Sequence, residues 1–366
     1  MADKIPIENL YYLLSYAWEH FREGEEIDLS SEACPDLANL LGKVLGNGIK
    51  RLSRTGFERQ YLTRRDTLAL LRGRVLVGES HRQLTQRKAK RICEFGELDG
   101  DPPANRIPAE STRRLLQLRE LTPEVRHEVR VARSLLPRTT PARLTDSSFQ
   151  RIQLHRNTRS YRLLLSVCRL IHRGLLPEEQ EGSRRFRDIL RDEVTMHSLF
   201  EAFVLNFARR HHPAANARAM TIRWKGSWDD EAARVLPSMI TDVTLDWPDR
   251  KVILDCKFYK DALVTRDDRH KLHSGHLYQL SAYLQNQARH EGWEKVEGVL
   301  LYPAVDHHLD VRLELLGYRF RIVSIDLDQP WREIEAGLLA LLSPAAERRS
   351  VVRDRAARSK QPPLPG

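Results

Sequence analysis

The stretch that most constrains this chain is Pro237 to Lys260, PSMITDVTLDWPDRKVILDCKFYK. On both sides of Trp247-Pro248-Asp249-Arg250 the residues alternate apolar and polar with period two, and Pro at the second place of that tetrapeptide sets a tight turn. The segment therefore predicts a β-hairpin. With Pro248-Asp249 as the loop, Trp247 pairs with Arg250, and counting outward brings Asp242 opposite Asp255. Lys257 lies two residues beyond Asp255 and projects from the same face, while Leu254, Cys256 and Phe258 point to the other side and can be buried. Like charges placed opposite one another destabilise a strand pair, and a bound cation would remove that penalty. The expectation is an exposed face carrying Asp242, Asp255 and Lys257, none of which fills the core. The same residues also allow a plainer reading, a surface hairpin with an Asp to Lys ion pair.

The donors on that face are carboxylate oxygens, joined by the Cys256 main-chain carbonyl, with no thiolate or imidazole required. Such hard ligands select Mg²⁺, with Mn²⁺ as a substitute. A metal held by Asp242 and Asp255, with Lys257 beside the attacking water or the developing oxyanion, would support phosphodiester hydrolysis. Upstream, Glu193 to Arg209 spaces Met196, Leu199, Phe200, Phe203, Val204 and Phe207 as an amphipathic helix, with Glu201 at the edge of the stripe. Glu201 is either a solvated helix glutamate or a further metal ligand. Downstream, His276 to Tyr283 reads as a helix with Gln279 and Tyr283 on one face at i and i+4. Helix, hairpin, helix and the strand Gly298 to Tyr302 follow in the order of a PD-(D/E)xK nuclease core.

The stretches IPIENLYYLLSYAW at the N-terminus, LRGRV at 71 to 75, ANRI at 104 to 107, TDVTLDW with ILDCKFYK, and KLHSGHLYQLSAYL occur in one order along the chain. From about Ile5 to about Leu342 the sequence closely resembles the McrC family, the nuclease subunits of methylcytosine-specific, GTP-dependent restriction systems. The resemblance implies that Asp242, Asp255 and Lys257 are catalytic, that Glu201 is the helix carboxylate common in this nuclease fold, and that Gln279 and Tyr283 support the site. It implies double-stranded methylated DNA as substrate. It also implies an McrB-type AAA+ GTPase ring as partner, on which the N-terminal domain docks and whose hydrolysis it stimulates. Cys256 departs from the Ala frequent at that place and adds a thiol beside the metal. Self-association through the nuclease half is a further expectation. Two alternatives remain: a self-sufficient sequence-specific nuclease, and an adaptor that has lost cleavage.

At 366 residues the chain exceeds one ordinary core. The expected class is α/β: a mixed α/β interaction domain over 1–178, a restriction-endonuclease-like α/β/α core over 181–345, and a disordered basic tail over 346–366. Gly174 to Arg185 is the expected linker. Lys and Arg outnumber Asp and Glu by 60 to 50, which favours a polyanionic partner. Cys34, Cys93, Cys168 and Cys256 form no CxxC, so neither a zinc site nor a disulfide framework is indicated. No apolar run approaches the roughly 20 residues of a membrane span and no signal-peptide core follows Met1, so the expected location is the cytoplasm, with no membrane partner.

In the first half, Ile7 to Phe21 and Leu37 to Leu52 predict amphipathic helices, Phe57 to Val77 strands, and Ser111 to Arg119 and Tyr161 to Ile171 helices. Glycines 42, 46 and 48 evoke a phosphate loop, but no Gly-Lys-Ser/Thr follows, so the Walker pattern fails. His81 to Arg91 is densely basic and reads either as a contact for DNA phosphates or as a solvated helix face. His270, His273 and His276 recur every third residue without a fourth ligand nearby, which argues against zinc.

Overall fold

The computed structural model describes residues 5–18, 34–82, 90–152, 161–174, 192–258, 263–266, 269–304 and 308–344. Most of the expected linker, residues 83–89 of the basic segment, and the tail lie outside them. Two compact units emerge, one of residues 1–30 with 188–366 and one of 31–187. This differs from the expected division at 178 to 181, because the first helix belongs with the C-terminal half. That helix, α1 (Ile7–Ala17), buries Leu10, Leu13, Leu14 and Tyr16. The Tyr16 ring packs against Phe203, Phe207 and Trp331, and Asn9 Nδ2 donates to Leu327 O and Gln329 O at 2.9 and 2.8 Å. All of these partners lie beyond residue 188.

The 31–187 unit begins with α2 (Leu37–Thr55), whose Asp36 N-cap accepts from Asn39 N–H. Then come β1 (Gln60–Leu68), β2 (Arg74–Val75), α3 (Val77–Arg82), β3 (Arg91–Asp99), α4 (Pro103–Leu115), α5 (Pro123–Leu135), α6 (Asp146–Gln150) and α7 (Tyr161–Gly174). The strands form an antiparallel sheet in the order β1-β3-β2. Gly73 is required before β2, since it takes φ +68° and a Cβ there would stand 2.4 Å from Glu94 O. The helix expected from Ser111 starts instead at Pro103, because Pro103 occupies the first turn, where its missing N–H costs nothing, and Pro108 is carried inside the helix. Strand β3 and helix α5 escape a reading by pattern: α5 buries only Val125, Val129 and Ala132 amid arginines.

The glycines of α2 serve packing. A Cβ on Gly42 would lie 2.8 Å from Val125 Cγ1 of α5, so the two helices meet where no side chain intervenes. Gly42→Val is expected to destabilise the chain by about 1–3 kcal/mol through overpacking, read as a lower midpoint in urea denaturation. An unchanged midpoint would contradict this packing.

The other unit continues with α8 (Glu193–His211), β4 (Thr221–Ile222), α9 (Asp230–Val235), β5 (Met239–Ile240), β6 (Val243–Asp246), β7 (Lys251–Cys256), β8 (Leu263–Arg266) and β9 (Arg269–Leu272). It ends with α10 (Ser274–Gln287), β10 (Glu297–Ala304), β11 (Asp310–Leu315), β12 (Tyr318–Asp326) and α11 (Trp331–Leu342). Its main sheet runs β11-β12-β10-β7-β6, with β10 parallel to β7 and to β12 and an antiparallel strand at each edge. On one face Phe258 meets Phe200 of α8 at 5.8 Å between ring centroids. On the other, Ile253, Leu300 and Tyr302 share a core with Leu280, Tyr283 and Leu284 of α10. This is the α/β/α arrangement expected. No helix of the described residues is long and apolar enough to cross a membrane.

Candidate active site

The hairpin closes in the expected register. Trp247 N–H donates to Arg250 O at 3.0 Å, and the ladder runs from Asp246↔Lys251 to Val243↔Leu254, so its next step sets Asp242 against Asp255. The Asp242 carboxylate reaches across, and its Oδ2 accepts from Cys256 N–H at 2.7 Å. The turn end is anchored too: Arg250, 5% exposed, donates to Leu341 O and Ser343 O, and Trp247 Nε1 donates to Leu342 O, which caps the last carbonyls of α11.

The expected exposure does not hold. Asp255 is 1% exposed and Lys257 5%, because β7 is an inner strand with helices over both faces. The site lies at the carboxyl ends of β7 and β10, the end of an open α/β sheet where ligands bind. Lys257 Nζ stands 2.8 Å from Asp255 Oδ2 as an ion pair, and apart from that ion pair neither Asp255 oxygen is satisfied. Lys257 Nζ also donates to Gln279 Oε1 at 3.1 Å, Gln279 Nε2 donates to Tyr283 OH at 2.9 Å, and Tyr283 OH donates to Ile240 O at 3.1 Å. Gln279 and Tyr283 are thus gathered with Lys257 into one chain of hydrogen bonds.

Burial, then the charges of Asp255 and Glu201, raise the Asp242 carboxyl to about 7. Burial likewise raises Asp255, against the lowering pull of Lys257. Glu201 is near enough to add to this field, yet its Oε1 is engaged at 2.8 Å by His197 Nε2, one turn back on α8. That hydrogen bond in turn raises His197. Among the described residues no three His, Cys, Asp or Glu side chains form a ready cation cage, so Glu201 does not complete one with the two aspartates. The Cys256 side chain is fully buried and its thiol is pushed well up, chiefly by burial, so it is unreactive and only its main-chain carbonyl could serve a ligand.

Two carboxylates driven against each other, one with unsatisfied buried oxygens, fit a small hard cation that keeps several waters. Sequence reasoning missed His197, whose signal was its i,i+4 spacing to Glu201, and Tyr302, which is fully buried on β10. It set His276 aside with its neighbours as non-zinc.

A family model described as McrBC 5-methylcytosine restriction system component matches residues 4–303. The chain belongs to the McrBC family. It is 32% identical over 336 residues to the Type IV methyl-directed restriction enzyme EcoKMcrBC of Escherichia coli (strain K12), covering 92% of this chain and 96% of that relative. Its fold matches a chain of the half-complex from the tetradecameric assembly of Thermococcus gammatolerans McrB AAA+ hexamers with bound McrC. That match has a TM-score of 0.52 and 19% identity, over 91% of this chain and 74% of that one.

In this McrBC-family chain the stretches that carry the resemblance divide by role. Asn9 and Gly73 serve the architecture. So does Asn105, which donates to Glu58 O and Gly100 O and accepts from Tyr161 OH at 2.6 Å. The hairpin and α10 carry the residues expected to form the site.

The raised Asp242 has a consequence for stability. The fold favours its protonated form, so this contribution is full below the unfolded value, near 4, and is lost as pH rises through about 7. In a chelator-treated protein, wild type is expected to lose stability relative to Asp242→Asn between pH 5 and pH 8, measured by urea denaturation. A pH-independent difference would contradict the shift.

Proposed function

We propose that this chain is the Mg²⁺-dependent DNA endonuclease subunit of a methylcytosine-directed restriction system. In this reading it cuts double-stranded DNA when coupled to an McrB-type AAA+ GTPase ring and stimulates the ring's hydrolysis. The observation that carries the reading is the pair Asp242 and Asp255 beside Lys257, with Asp255 and Lys257 buried and both carboxyls raised, at the carboxyl end of the inner strand β7 of a mixed sheet. A structural ion pair alone would not bring two carboxylates together against their desolvation. The relative that is 32% identical, a methyl-directed restriction enzyme, supports this reading, and the fold match to the assembly of McrB AAA+ hexamers with bound McrC points to the kind of partner.

Asp242, Asp255 and the Cys256 carbonyl would hold the cation, with Glu201 joining on release from His197. When bound, Mg²⁺ or Mn²⁺ supplies Lewis-acid stabilisation of the phosphoryl charge. Lys257, steadied by Gln279 and Tyr283, holds an ammonium donor toward the reacting phosphate. The N–H of Cys256 holds Asp242 in place through its Oδ2. The chain carries no Walker loop, so the energy for moving along DNA comes from the partner.

The test is cutting of a methylated plasmid by the full-length chain, alone and with its GTPase partner and GTP. Cutting is expected only in the full mixture. Efficient, site-specific, GTP-independent cutting by the lone chain would replace this reading with that of a self-sufficient nuclease, and absence of cutting under every condition would favour the adaptor.

A further inference from the structure

Helix α10 sets His276, Gln279 and Tyr283 on one face at i, i+3 and i+7. Gln279 and Tyr283 already belong to the hydrogen-bond chain that ends on Lys257. His276 lies one turn earlier and is half-buried. Its Nδ1 is 2.9 Å from the hydroxyl of Tyr302, and its ring stacks on His273 with centroids 4.7 Å apart and planes at 23°. Tyr302 itself is fully buried. The β7 and β10 register, Cys256↔Leu301, and the Lys257 N–H to Leu301 O bond of 2.9 Å put Tyr302 beside Lys257 on the neighbouring strand. Tyr302 therefore ties the His276 ring to the strand position beside the lysine. Burial, followed by the charges of Lys257, His273 and His197, pushes His276 down to about 4, so it is neutral at working pH.

Resting on the reading of Asp242, Asp255 and Lys257 as a phosphodiester-cutting centre, we infer that His276 contacts the substrate, its Nε2–H donating a hydrogen bond to a non-bridging phosphate oxygen held beside Lys257. With the Tyr302 hydroxyl taken as donor to Nδ1, the ring is the tautomer in which the proton stands on Nε2. A neutral donor suits the place, because it adds a directed hydrogen bond without setting a second buried cation against the lysine. His273, stacked on the ring, limits its tilt.

The experiment uses the full-length chain with its GTPase partner and methylated DNA, read as single-turnover cleavage across DNA concentrations and as DNA affinity in Ca²⁺. Mn²⁺ affinity without DNA is measured beside it. His276→Ala is expected to lose about ten- to hundredfold, the range for removing one hydrogen bond to a charged group. His276→Gln, which keeps an N–H donor, is expected to recover most of that loss, and Tyr302→Phe to fall between them. Mn²⁺ affinity stays at the wild-type value in all three. Wild-type cleavage by His276→Ala would overturn the inference, and so would equal losses in the Ala and Gln variants with matching losses of thermal stability. Should His276→Ala fail to fold, His276→Gln and Tyr302→Phe decide the matter by the same readouts. Failure of the underlying reading is separate and shows as wild-type cutting by Asp242→Asn.

Discussion

Asp242→Asn, Asp255→Asn and Lys257→Ala are each expected to lower DNA cleavage at least several hundredfold in a reaction reconstituted with the GTPase partner. Removing a metal-binding or charge-stabilising group from a phosphoryl-transfer site costs about 3 kcal/mol or more of transition-state stabilisation. The burial of these residues makes the stability readout informative as well. Asp255 is 1% exposed, with oxygens unsatisfied apart from one ion pair, so its carboxylate is costly to the metal-free fold. Asp255→Asn is therefore expected to keep or raise the melting temperature in chelator while cutting is lost, as residues selected for chemistry behave. Lys257→Ala removes the partner of a buried carboxylate and is expected to melt lower. Wild-type cutting by Asp255→Asn would sink the site assignment.

Excess EDTA is expected to abolish cutting altogether, and Mg²⁺ or Mn²⁺ to restore it. Ca²⁺, larger and more loosely coordinated, is expected to support DNA binding with little or no cleavage. Donor chemistry sets this preference: two carboxylates and a carbonyl, with no reactive thiol, since the Cys256 side chain is buried on the opposite face of β7. Because binding displaces the proton that raised Asp242 retains near neutrality, cation affinity is also expected to climb with pH through about 7. Undiminished cutting in EDTA would remove the metal from the account.

The candidate site was legible in the sequence to the extent that it depends on local periodicity. Alternation around Pro248-Asp249 fixed the register that sets Asp242 against Asp255, and helical spacing put Gln279 and Tyr283 on one face. What escaped depends on long-range packing. Nothing in the hairpin's own residues says that β10 will pair with β7 and bury Asp255 and Lys257. Nor does the spacing of Glu201 reveal that His197 engages it. Helix α1 reads as amphipathic anywhere, but the Phe203, Phe207 and Trp331 surface that covers Tyr16 lies far along the chain, so the sequence alone does not reveal that the first helix groups with residues 188–366. A fragment meant to carry only the first unit should accordingly span 31–187 rather than 1–178.

On the proposed function, a single chain stimulates a partner's GTP hydrolysis while its own Asp242 and Asp255 serve the cutting of DNA. This pairing of roles is tested most directly by following GTP hydrolysis and strand cutting together in one reaction containing the partner ring, methylated DNA and either wild type or Asp255→Asn. The account predicts wild-type hydrolysis with no cutting by Asp255→Asn. Cutting that persists in the variant, or hydrolysis and cutting that fall together while the variant remains folded, would contradict it.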